Sequence, residues 1–441
     1  MAHNGLPASV DTGPPTQVGG VDRVDGTERA GAAERTGAAG RAGEPVQGVG
    51  PSRAGAAGDA VRVGARLVGV DLARGLAVLG MYAAHVGPEP GRGGVIGFVM
   101  EVTHGRSSAL FAFLAGFSIL LITGRRVPKV GQAGRQARVK VLIRAGILLV
   151  LGTALTASGT KVEVILAYYG MYFLLVLPFA RLRAVTLAVI AAVSALVLPQ
   201  IVFVVTRDFE WTEAVNRFDP IAWVSGRGDP IGISDGIVGL LFTGSYPALS
   251  WLPFVFAGMA VARLDLAANV IRVRLAATGI GLAVLGYGGS ALALHFAPSV
   301  TARPGIMYAP WWSDMAEDPA GWRYQLGAMP HSETTLSIIA NTGVALTVLI
   351  ACLAACDRSP QFRRLATPLI AVGSMSLTAY VFHVIAIAVL GFAVLPAGSL
   401  PVLLGLSAII MMFAYCWSHF FRRGPLEWLL HRATTVADRV R

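Results

Sequence analysis

Long apolar runs separated by short polar segments dominate the sequence after its first sixty or so residues. Each run is near the roughly 20 residues that a helix needs to cross a bilayer. The runs lie at 70–87, 107–124, 138–157, 162–180, 183–206, 236–263, 274–297, 334–356, 367–394 and 400–421. TGSYPALS at 243–250 interrupts the sixth run, and GRGGVIGFVM at 91–100 indicates an interfacial piece. The pattern predicts an all-α fold, a polytopic membrane protein of about ten transmembrane helices.

The segment before these runs has a different pattern. Residues 1–63 are dense in Gly, Ala, Pro, Arg and Glu and contain almost no large apolar side chains, so they predict a disordered tail. The tail has no apolar core followed by a small-residue cleavage site, and the first membrane helix is therefore expected to be an uncleaved anchor. The predicted organisation is this tail, a transmembrane domain at 64–435, and a cytoplasmic tail end at 436–441.

Basic residues fall on one side of the predicted spans. They lie at 125–140, 181–183, 263–274, 358–364 and from Arg422 onward. By the positive-inside rule that side is cytoplasmic, so both termini are predicted to be inside. The other side has two long loops, 207–235 and 298–333, which are richer in Asp, Glu and Trp.

Composition agrees with a membrane location and removes some function classes. Hydrophobic residues make up 54% of the chain, charged residues only 14%, and the mean hydropathy is +0.63. The net charge of +11 follows from the topology, so we expect no nucleic-acid partner and instead contact with anionic membrane lipid. The Ala, Gly and Arg richness is typical of a GC-rich bacterial genome, which indicates the bacterial cytoplasmic membrane.

The three cysteines, Cys352, Cys356 and Cys416, form no CxxC pair. They predict neither a disulfide framework nor a zinc site, and packing is the favoured interpretation. No metal ligand set is predicted elsewhere in the sequence.

The first chemical cluster lies in VDLARGLAVLGMYAAH. Asp71 and Arg74 are three residues apart on one helix face and can form an ion pair. His85 follows Arg74 by eleven residues, about three turns, and returns to the same face nearer the outer surface. Ionisable groups at these depths are costly and indicate a functional site. The alternative is an inner-interface ion pair with His85 among the outer headgroups.

The second cluster lies in EVTHGRSSALFAFLAGFSILL at 101–121. Glu101 and His104 are three residues apart and would form an acid/base pair if the segment is helical. Arg106 and Ser107 follow, and Ser107 or its neighbour Ser108 is a candidate N-cap. The alternative interpretation is a capping and interface motif without catalysis.

The third cluster lies in GSMSLTAYVFH, where Tyr380 and His383 share a helix face within a long apolar span. Three further hydroxyl side chains of this segment are Ser374, Ser376 and Thr378. Membrane hydroxyls often bond back to their own helix, which explains the serines and threonine without function. A fourth, weaker group joins Asn341 with His331 and Glu333 of PHSETT.

Six blocks of the chain carry a resemblance. VDLARGLAVLGMYAAH, GRSSALFAFLAGFSILL, TGSYPALSWLPFVFAGMA, PHSETTLSIIANTG, GSMSLTAYVFH and GPLEWLLHR resemble successive blocks of the YeiB-like bacterial membrane proteins. The N-terminal part resembles the catalytic domain of heparan-α-glucosaminide N-acetyltransferase, which is grouped with OafA-like proteins as transmembrane acyltransferases. The resemblance covers about residues 64–435.

The resemblance implies transfer of an acyl group, usually acetyl, from cytoplasmic acyl-CoA to a hydroxyl or amine of a sugar or other envelope acceptor outside. OafA-like proteins have an Arg, ten intervening residues and a His, which Arg74 and His85 match. Heparan-α-glucosaminide N-acetyltransferase has Asn near the position of His85. The identity of the catalytic histidine therefore stays open between His85 and His104.

The acyltransferase hypothesis gives each cluster a role. The general base or acyl carrier is His85 or His104, with Glu101 as its carboxylate partner. The coenzyme A site is predicted from Arg74, Asp71 and Arg144. Donors to substrate or oxyanion are predicted from Arg106, Ser107, Tyr380 and His383.

Two other functions stay open. A transporter or flippase would also have intramembrane charges and a broken helix, although no internal repeat is visible in the sequence. A non-catalytic assembly protein is the third hypothesis.

Trp311 and Trp312 of the outer loop would stack on a sugar acceptor or anchor the loop at the interface. The oligomeric state is not predicted.

Overall fold

The computed structural model describes residues 67–160, 162–206, 236–296, 322–391 and 398–440. The predicted disordered tail at 1–63, the outer loop at 207–235 and most of the loop at 298–333, with Trp311 and Trp312, lie outside the described residues. Within these ranges all regular secondary structure is helical and there is no strand. The predicted all-α class is therefore confirmed for this part of the chain.

The α-helices of the described ranges are numbered in chain order. They are α1 (Val68–Val86), α2 (Gly94–Thr103), α3 (Arg106–Thr123), α4 (Gly131–Ala157), α5 (Leu166–Val176), α6 (Ala184–Thr206), α7 (Ala248–Ala262), α8 (Asn269–Ala283), α9 (Gly289–Phe296), α10 (Thr335–Arg358), α11 (Pro360–Leu365), α12 (Thr367–Ser374), α13 (Ser376–Leu390), α14 (Leu400–Phe420) and α15 (Pro425–Thr434). Single π-helical turns precede α7 at Gly239–Thr243 and join α8 to α9 at Val284–Gly288.

Six helical segments of the described chain are long and apolar enough to cross a membrane. They are Gly94–Thr123, Gly131–Ala157, Ala184–Thr206, Asn269–Phe296, Thr335–Arg358 and Leu400–Phe420. Helices α12 and α13 would add a seventh span, broken by a bend of 88°. The other predicted spans coincide with helices that are short or contain charged residues, so the described residues support about six spans and the figure of ten stays a prediction.

Burial separates central helices from peripheral ones. The most apolar 18 residues of each segment differ in how many of them are buried inside the structure. The buried share is 72% in α2–α3 and 56% in α10, but only 17% in α8–α9. The exposed surface of the peripheral helices is apolar, as Val150, Val189 and Met412 illustrate. Apolar side chains in this position are expected to face lipid.

Glycines allow the central helices to approach each other closely. A Cβ atom on Gly116 of α3 would lie 1.9 Å from the carbonyl oxygen of Val255 in α7. A Cβ on Gly258 of α7 would in turn lie 1.8 Å from the carbonyl oxygen of Phe113 in α3. Small residues at both contacts let the two backbones touch, which is a common way to pack membrane helices.

The C-terminal block holds the break between α12 and α13. The Glu427 carboxylate accepts hydrogen bonds from the backbone N–H groups of Leu377 (2.7 Å) and Thr378 (3.1 Å), and from the Thr378 hydroxyl (2.6 Å). These N–H groups belong to the first turn of α13, where backbone N–H groups have no carbonyl partner within their own helix. An acidic side chain from α15 therefore caps α13.

We expect Glu427→Gln to destabilise the protein, because an amide cannot accept hydrogen bonds at both terminal atoms. Charge-assisted hydrogen bonds contribute roughly 1.5–3 kcal/mol each, so a loss of about 2 kcal/mol in the free energy of unfolding is expected. Thermal unfolding in nanodiscs would measure the change. The matched control is Glu89→Gln, an exposed carboxyl that should leave Tm unchanged; equal effects of the two substitutions would contradict the capping role.

The predicted tail end at 436–441 is helical where it is described. A 3-10 turn at Thr435–Arg439 packs against α4. Lys140 forms an ion pair of 2.7 Å with Asp438, and the Gln136 amide donates to the carbonyl oxygens of Asp438 and Val440. The C-terminal segment is thus attached to the basic half of α4.

Candidate functional site

Two histidines from distant parts of the chain meet inside the helical bundle. His85 lies in the last turn of α1 and His383 in the middle of α13. Their Nδ1 and Nε2 atoms are 3.0 Å apart, a hydrogen bond, and the two rings are within 8° of parallel. His383 is fully buried and His85 is half-buried. A polar pair with one buried and one accessible member is suited to moving a proton.

Tyrosines hold the buried histidine in position. The Tyr82 ring stacks on His383 at 4.6 Å between centroids, and the Tyr380 ring meets it edge-on at 4.8 Å. The Tyr82 hydroxyl donates to the Ala379 carbonyl oxygen at 2.7 Å and so joins α1 to α13. The Tyr380 hydroxyl accepts from the Ile165 N–H at 3.0 Å. The same hydroxyl donates to the Glu163 carbonyl oxygen at 3.5 Å, so Tyr380 is held in position beside His383.

Two further histidines lie towards the exposed side of the pair. The rings of His104 and His331 meet edge-on at 5.5 Å between centroids. Both histidines interact electrostatically with His85. His104 is half-buried and His331 is exposed. With His383, the four imidazoles run from the buried interior to the surface.

The backbone around His331 is strained. His331 and Glu333 have φ angles of 57° and 54°, in the left-handed region that non-glycine residues rarely adopt. The Glu333 carboxyl group accepts from the Ser250 hydroxyl (2.6 Å) and the Trp251 indole N–H (2.8 Å) in the first turn of α7. Thr334 caps α10 by accepting from the Ser337 N–H at 3.2 Å. Such strain persists only where surrounding contacts impose it, and it concentrates at functional sites.

Glu333 lies outside the spanning helices and has a perturbed acidity. Burial of its carboxyl group raises the pKa of Glu333 from 4.5 to about 8, against the lowering effect of hydrogen bonds from Ser250 and Trp251. The folded protein therefore retains a proton at neutral pH that the unfolded chain has lost. Retention of this proton stabilises the folded protein. The stabilisation is complete below the pKa that Glu333 has in the unfolded chain, and it is lost as pH rises through about 8.

We expect Glu333→Gln to reduce the pH dependence of stability, because the amide keeps a neutral group and cannot titrate. Wild-type Tm should fall between about pH 5 and about pH 9, and the Glu333→Gln Tm should fall less. Thermal unfolding in nanodiscs at both pH values measures the difference. Glu89→Gln, at an exposed site, should follow the wild type. Parallel curves for wild type and Glu333→Gln would contradict this prediction.

Arg106 connects the second predicted cluster with the fourth. Its Nε donates to the Tyr287 hydroxyl at 2.7 Å, and that hydroxyl donates to the Asn341 side-chain oxygen at 2.7 Å. Its Nη1 donates to the Glu101 carbonyl oxygen at 2.7 Å. The Asn341 amide continues the chain to the Ser337 hydroxyl at 3.2 Å. These bonds tie α3 to α10 through the turn that joins α8 and α9.

The start of α3 differs from the sequence prediction. The helix begins at Arg106 after Gly105, and the hydroxyls of Ser107 and Ser108 donate to the carbonyl oxygens of Thr103 (2.8 Å) and Gly105 (2.9 Å). The prediction of either serine as the N-cap was therefore wrong. Gly105 has a φ of +68°, which turns the chain so that both serines fall inside the first turn.

Glu101 and His104 are not brought together as an acid/base pair. Glu101 is buried within α2, whereas His104 ends that helix with an extended ψ of 127°. The i, i+3 relation that would align the two side chains needs a continuous helix. Hydrogen bonds of the described residues do not join the Glu101 carboxyl to His104, whose ring packs on His331 instead.

The predicted cofactor residues meet at the other end of α1. Arg74 contacts Asp71 at 3.2 Å and donates to the Ser118 hydroxyl of α3 at 2.7 Å. Arg144 of α4 interacts electrostatically with both Arg74 and Arg423. Arg74 and His85 are about 16 Å apart along the helix, so α1 carries a cation at one end and an imidazole at the other.

Metal binding receives no support from the described part of the chain. No group of three or more His, Cys, Asp or Glu side chains there is arranged to hold an ion. Cys352 and Cys356 are buried thiols and Cys416 is an exposed thiol, each without a disulfide. The packing interpretation of the two buried cysteines agrees with these positions.

Together these features define the described part of the chain as an all-helical bundle with apolar helices suited to a membrane and a cluster of four histidines. Residues 306–437 match a family described as a protein of unknown function, DUF418, which is the YeiB-like family. No curated protein matches the chain. The match includes the strained segment at 329–334, His383 and Glu427. The resemblance of the N-terminal part to acyltransferases stays a prediction.

Proposed function

We propose that the protein is a membrane-bound acyltransferase of the bacterial cytoplasmic membrane, with ten spans and both termini inside. It would transfer an acyl group, acetyl in the simplest case, from cytoplasmic acyl-CoA to a hydroxyl or amine of an envelope acceptor such as a glycan. The contact of His85 with His383 is the observation that carries the proposal. Acyl transfer needs a group that removes a proton from a weak nucleophile, and an oriented imidazole is suited to this.

The hydrogen bond between the two rings allows either nitrogen to be the donor, and the proposed reaction uses the arrangement in which His85 is the donor. When His85 Nδ1 donates to His383 Nε2, His85 Nε2 keeps its lone pair and becomes the base. The acceptor hydroxyl gives its proton to His85 Nε2 as its oxygen attacks the thioester carbonyl; the carbon–sulfur bond then breaks and the thiolate of coenzyme A takes the proton. Tyr82 and Tyr380 fix the ring of His383, which in turn orients His85.

The charge distribution along α1 supports the same direction of transfer. Arg74 and Arg144 provide positive charge for the phosphates of the polyanionic donor, and Ser118 orients Arg74. His104 and His331 lie on the exposed side of His85, where an acceptor would enter. Asp71 contributes by orienting Arg74 rather than by contacting the donor.

A transporter is the second candidate because α12 and α13 form a broken helix. Broken helices in transporters direct their half-helix ends at substrate. Glu427 occupies the start of α13 here, which favours a structural role for this break. A non-catalytic assembly role has no specific observation in its favour.

The direct test supplies purified protein in nanodiscs with labelled acetyl-CoA and an envelope-glycan extract. Label transfer to the extract, or a trapped acyl-enzyme, supports the proposal. Protein of normal thermal stability that neither binds nor consumes acetyl-CoA or longer acyl-CoAs would refute it, and substrate flux in liposomes would then test the transporter.

A further inference from the structure

A cavity of about 530 Å³ lies where α14 ends beside the break between α12 and α13. It is lined by Ser374, Met375, Ser418, Phe421, Arg422 and Arg423. His383 lies eight residues beyond Met375 on α13, roughly 12 Å along the helix. The cavity is therefore separate from the histidine cluster.

The arginines at this cavity are held by a structured turn. The Trp417 indole N–H donates to the Arg423 carbonyl oxygen at 2.8 Å, and the Trp417 ring stacks on Phe421 at 4.3 Å between centroids. These contacts fix the backbone directly after α14. Arg422 and Arg423, which both line the cavity, therefore lie on a turn with defined contacts.

The positive charge around the cavity is not neutralised within the described residues. The guanidinium groups of Arg144, Arg422 and Arg423 have no hydrogen bond or ion-pair contact there, and the Nε of Arg144 is buried without a partner. Arg144 and Arg423 are close enough to interact electrostatically. Like charges held together are unfavourable unless an anion joins them.

The nearby carboxylates cannot supply that anion. Glu427 interacts with Arg144 but already accepts three hydrogen bonds from the start of α13. Asp71 is paired with Arg74. The cluster of four arginines and two carboxylates thus keeps a net positive charge next to an open cavity.

The surface beside the cavity is apolar and aromatic. Phe420 is 81% exposed, Trp428 53% and Leu429 58%. Exposed aromatic side chains next to arginines are typical of the level at which lipid headgroups meet hydrocarbon. This arrangement favours a ligand that carries both a phosphate and acyl chains.

We propose that this cavity binds the phosphate ester group of an anionic phospholipid. Arg422 and Arg423 hold the phosphate oxygens through their planar guanidinium groups, and Arg144 adds charge from behind. The acyl chains lie against Phe420 and Trp428. The proposal does not depend on acyl transfer, and a water-soluble phosphate ester such as the donor offers the same phosphate chemistry from another source.

The test compares two arginine pairs of equal charge. Thermal unfolding is measured in phosphatidylcholine nanodiscs with increasing phosphatidylglycerol, for wild type, for Arg422→Gln with Arg423→Gln, and for the control Arg363→Gln with Arg364→Gln. Both pairs are exposed. We expect stabilisation of wild type and control by phosphatidylglycerol, and an apparent affinity lower by at least about tenfold in the first pair.

A second arm identifies the source of the phosphate. Inorganic pyrophosphate added to phosphatidylcholine nanodiscs should not raise Tm through Arg422 and Arg423, so any rise should be equal in wild type and in the double variant. If it raises Tm as phosphatidylglycerol does, and Arg422→Gln with Arg423→Gln removes the effect, the ligand is water-soluble and the lipid proposal is overturned. Equal losses in the two arginine pairs would also overturn it, since only general surface charge would then act.

A conservative variant keeps the proposal testable if the double substitution prevents folding. Arg423→Lys retains the charge but lacks the planar fork. We expect it to insert normally and to bind phosphatidylglycerol with an affinity between those of wild type and the double variant. Wild-type affinity in Arg423→Lys, together with wild-type affinity in Arg422→Lys, would contradict a specific phosphate site.

Discussion

His85→Ala and His383→Ala should each reduce acyl transfer from acetyl-CoA by at least about 100-fold, the lower end of what general acid–base catalysis contributes. The His85→Ala variant would lack the base itself. His383→Ala would leave the base in place but remove the hydrogen-bond partner at 3.0 Å that orients its ring. The two substitutions should therefore be far from additive, and the double variant should be no slower than the slower single variant.

The matched control is His295→Ala, at an exposed position on α9 away from the pair. It should retain wild-type turnover. Initial rates of label transfer and thermal unfolding are measured on the same preparations, so that a loss of fold is separated from a loss of chemistry. Normal turnover in stable His85→Ala protein would exclude His85 as the base, and a loss confined to His104→Ala would move that role to His104.

Interactions between neighbours on one helix were the part of the site that sequence could predict. Asp71 and Arg74 are three residues apart, and the structure contains their ion pair. Tyr380 and His383 share a face, and their rings are in contact. Helical periodicity fixes both relations without reference to the rest of the fold.

Contacts between distant segments could not be predicted in this way. His85 and His383 are 298 residues apart, and their meeting depends on how α1 packs on α13. Glu427 lies in a block whose sequence gives no sign that it caps another helix. His331 belonged only to the weakest predicted group, because its positive φ and its contact with His104 depend on tertiary packing.

The number of spans shows a different limit. Hydropathy measures how apolar a segment is, but a buried central helix and a lipid-facing helix are equally apolar. Helix α7 is only 15 residues long and is largely buried between its neighbours. The apolar run that contains it predicted a complete span, although Pro247 and a π-helical turn shorten the regular helix.

Gly373→Ala should be among the most destabilising single substitutions in the protein. A Cβ atom at this position would lie 1.7 Å from the carbonyl oxygen of Asp71 and 2.7 Å from the amide nitrogen of Gly75. Both atoms belong to the backbone of α1, so no side-chain rotation relieves the clash. The helices must separate, at a cost of about 3 kcal/mol or more in the free energy of unfolding.

The matched control is Gly405→Ala on α14, where a Cβ atom would meet nothing within 4 Å. This exchange should change stability by no more than about 1 kcal/mol, in the stabilising direction, because alanine favours helix over glycine. Thermal unfolding in nanodiscs measures both variants, and similar Tm values would contradict the close contact of α1 with α12.

The same substitution tests how packing and the histidine pair are connected. Helix α12 continues through the bend into α13, so displacement of Gly373 from α1 should also move His383 away from His85. Gly373→Ala protein that still folds at low temperature should therefore lose acyl transfer to nearly the extent of His383→Ala. Full activity in such protein would show that the pair is positioned by Tyr82 and Tyr380 alone, independently of the contact at Gly373.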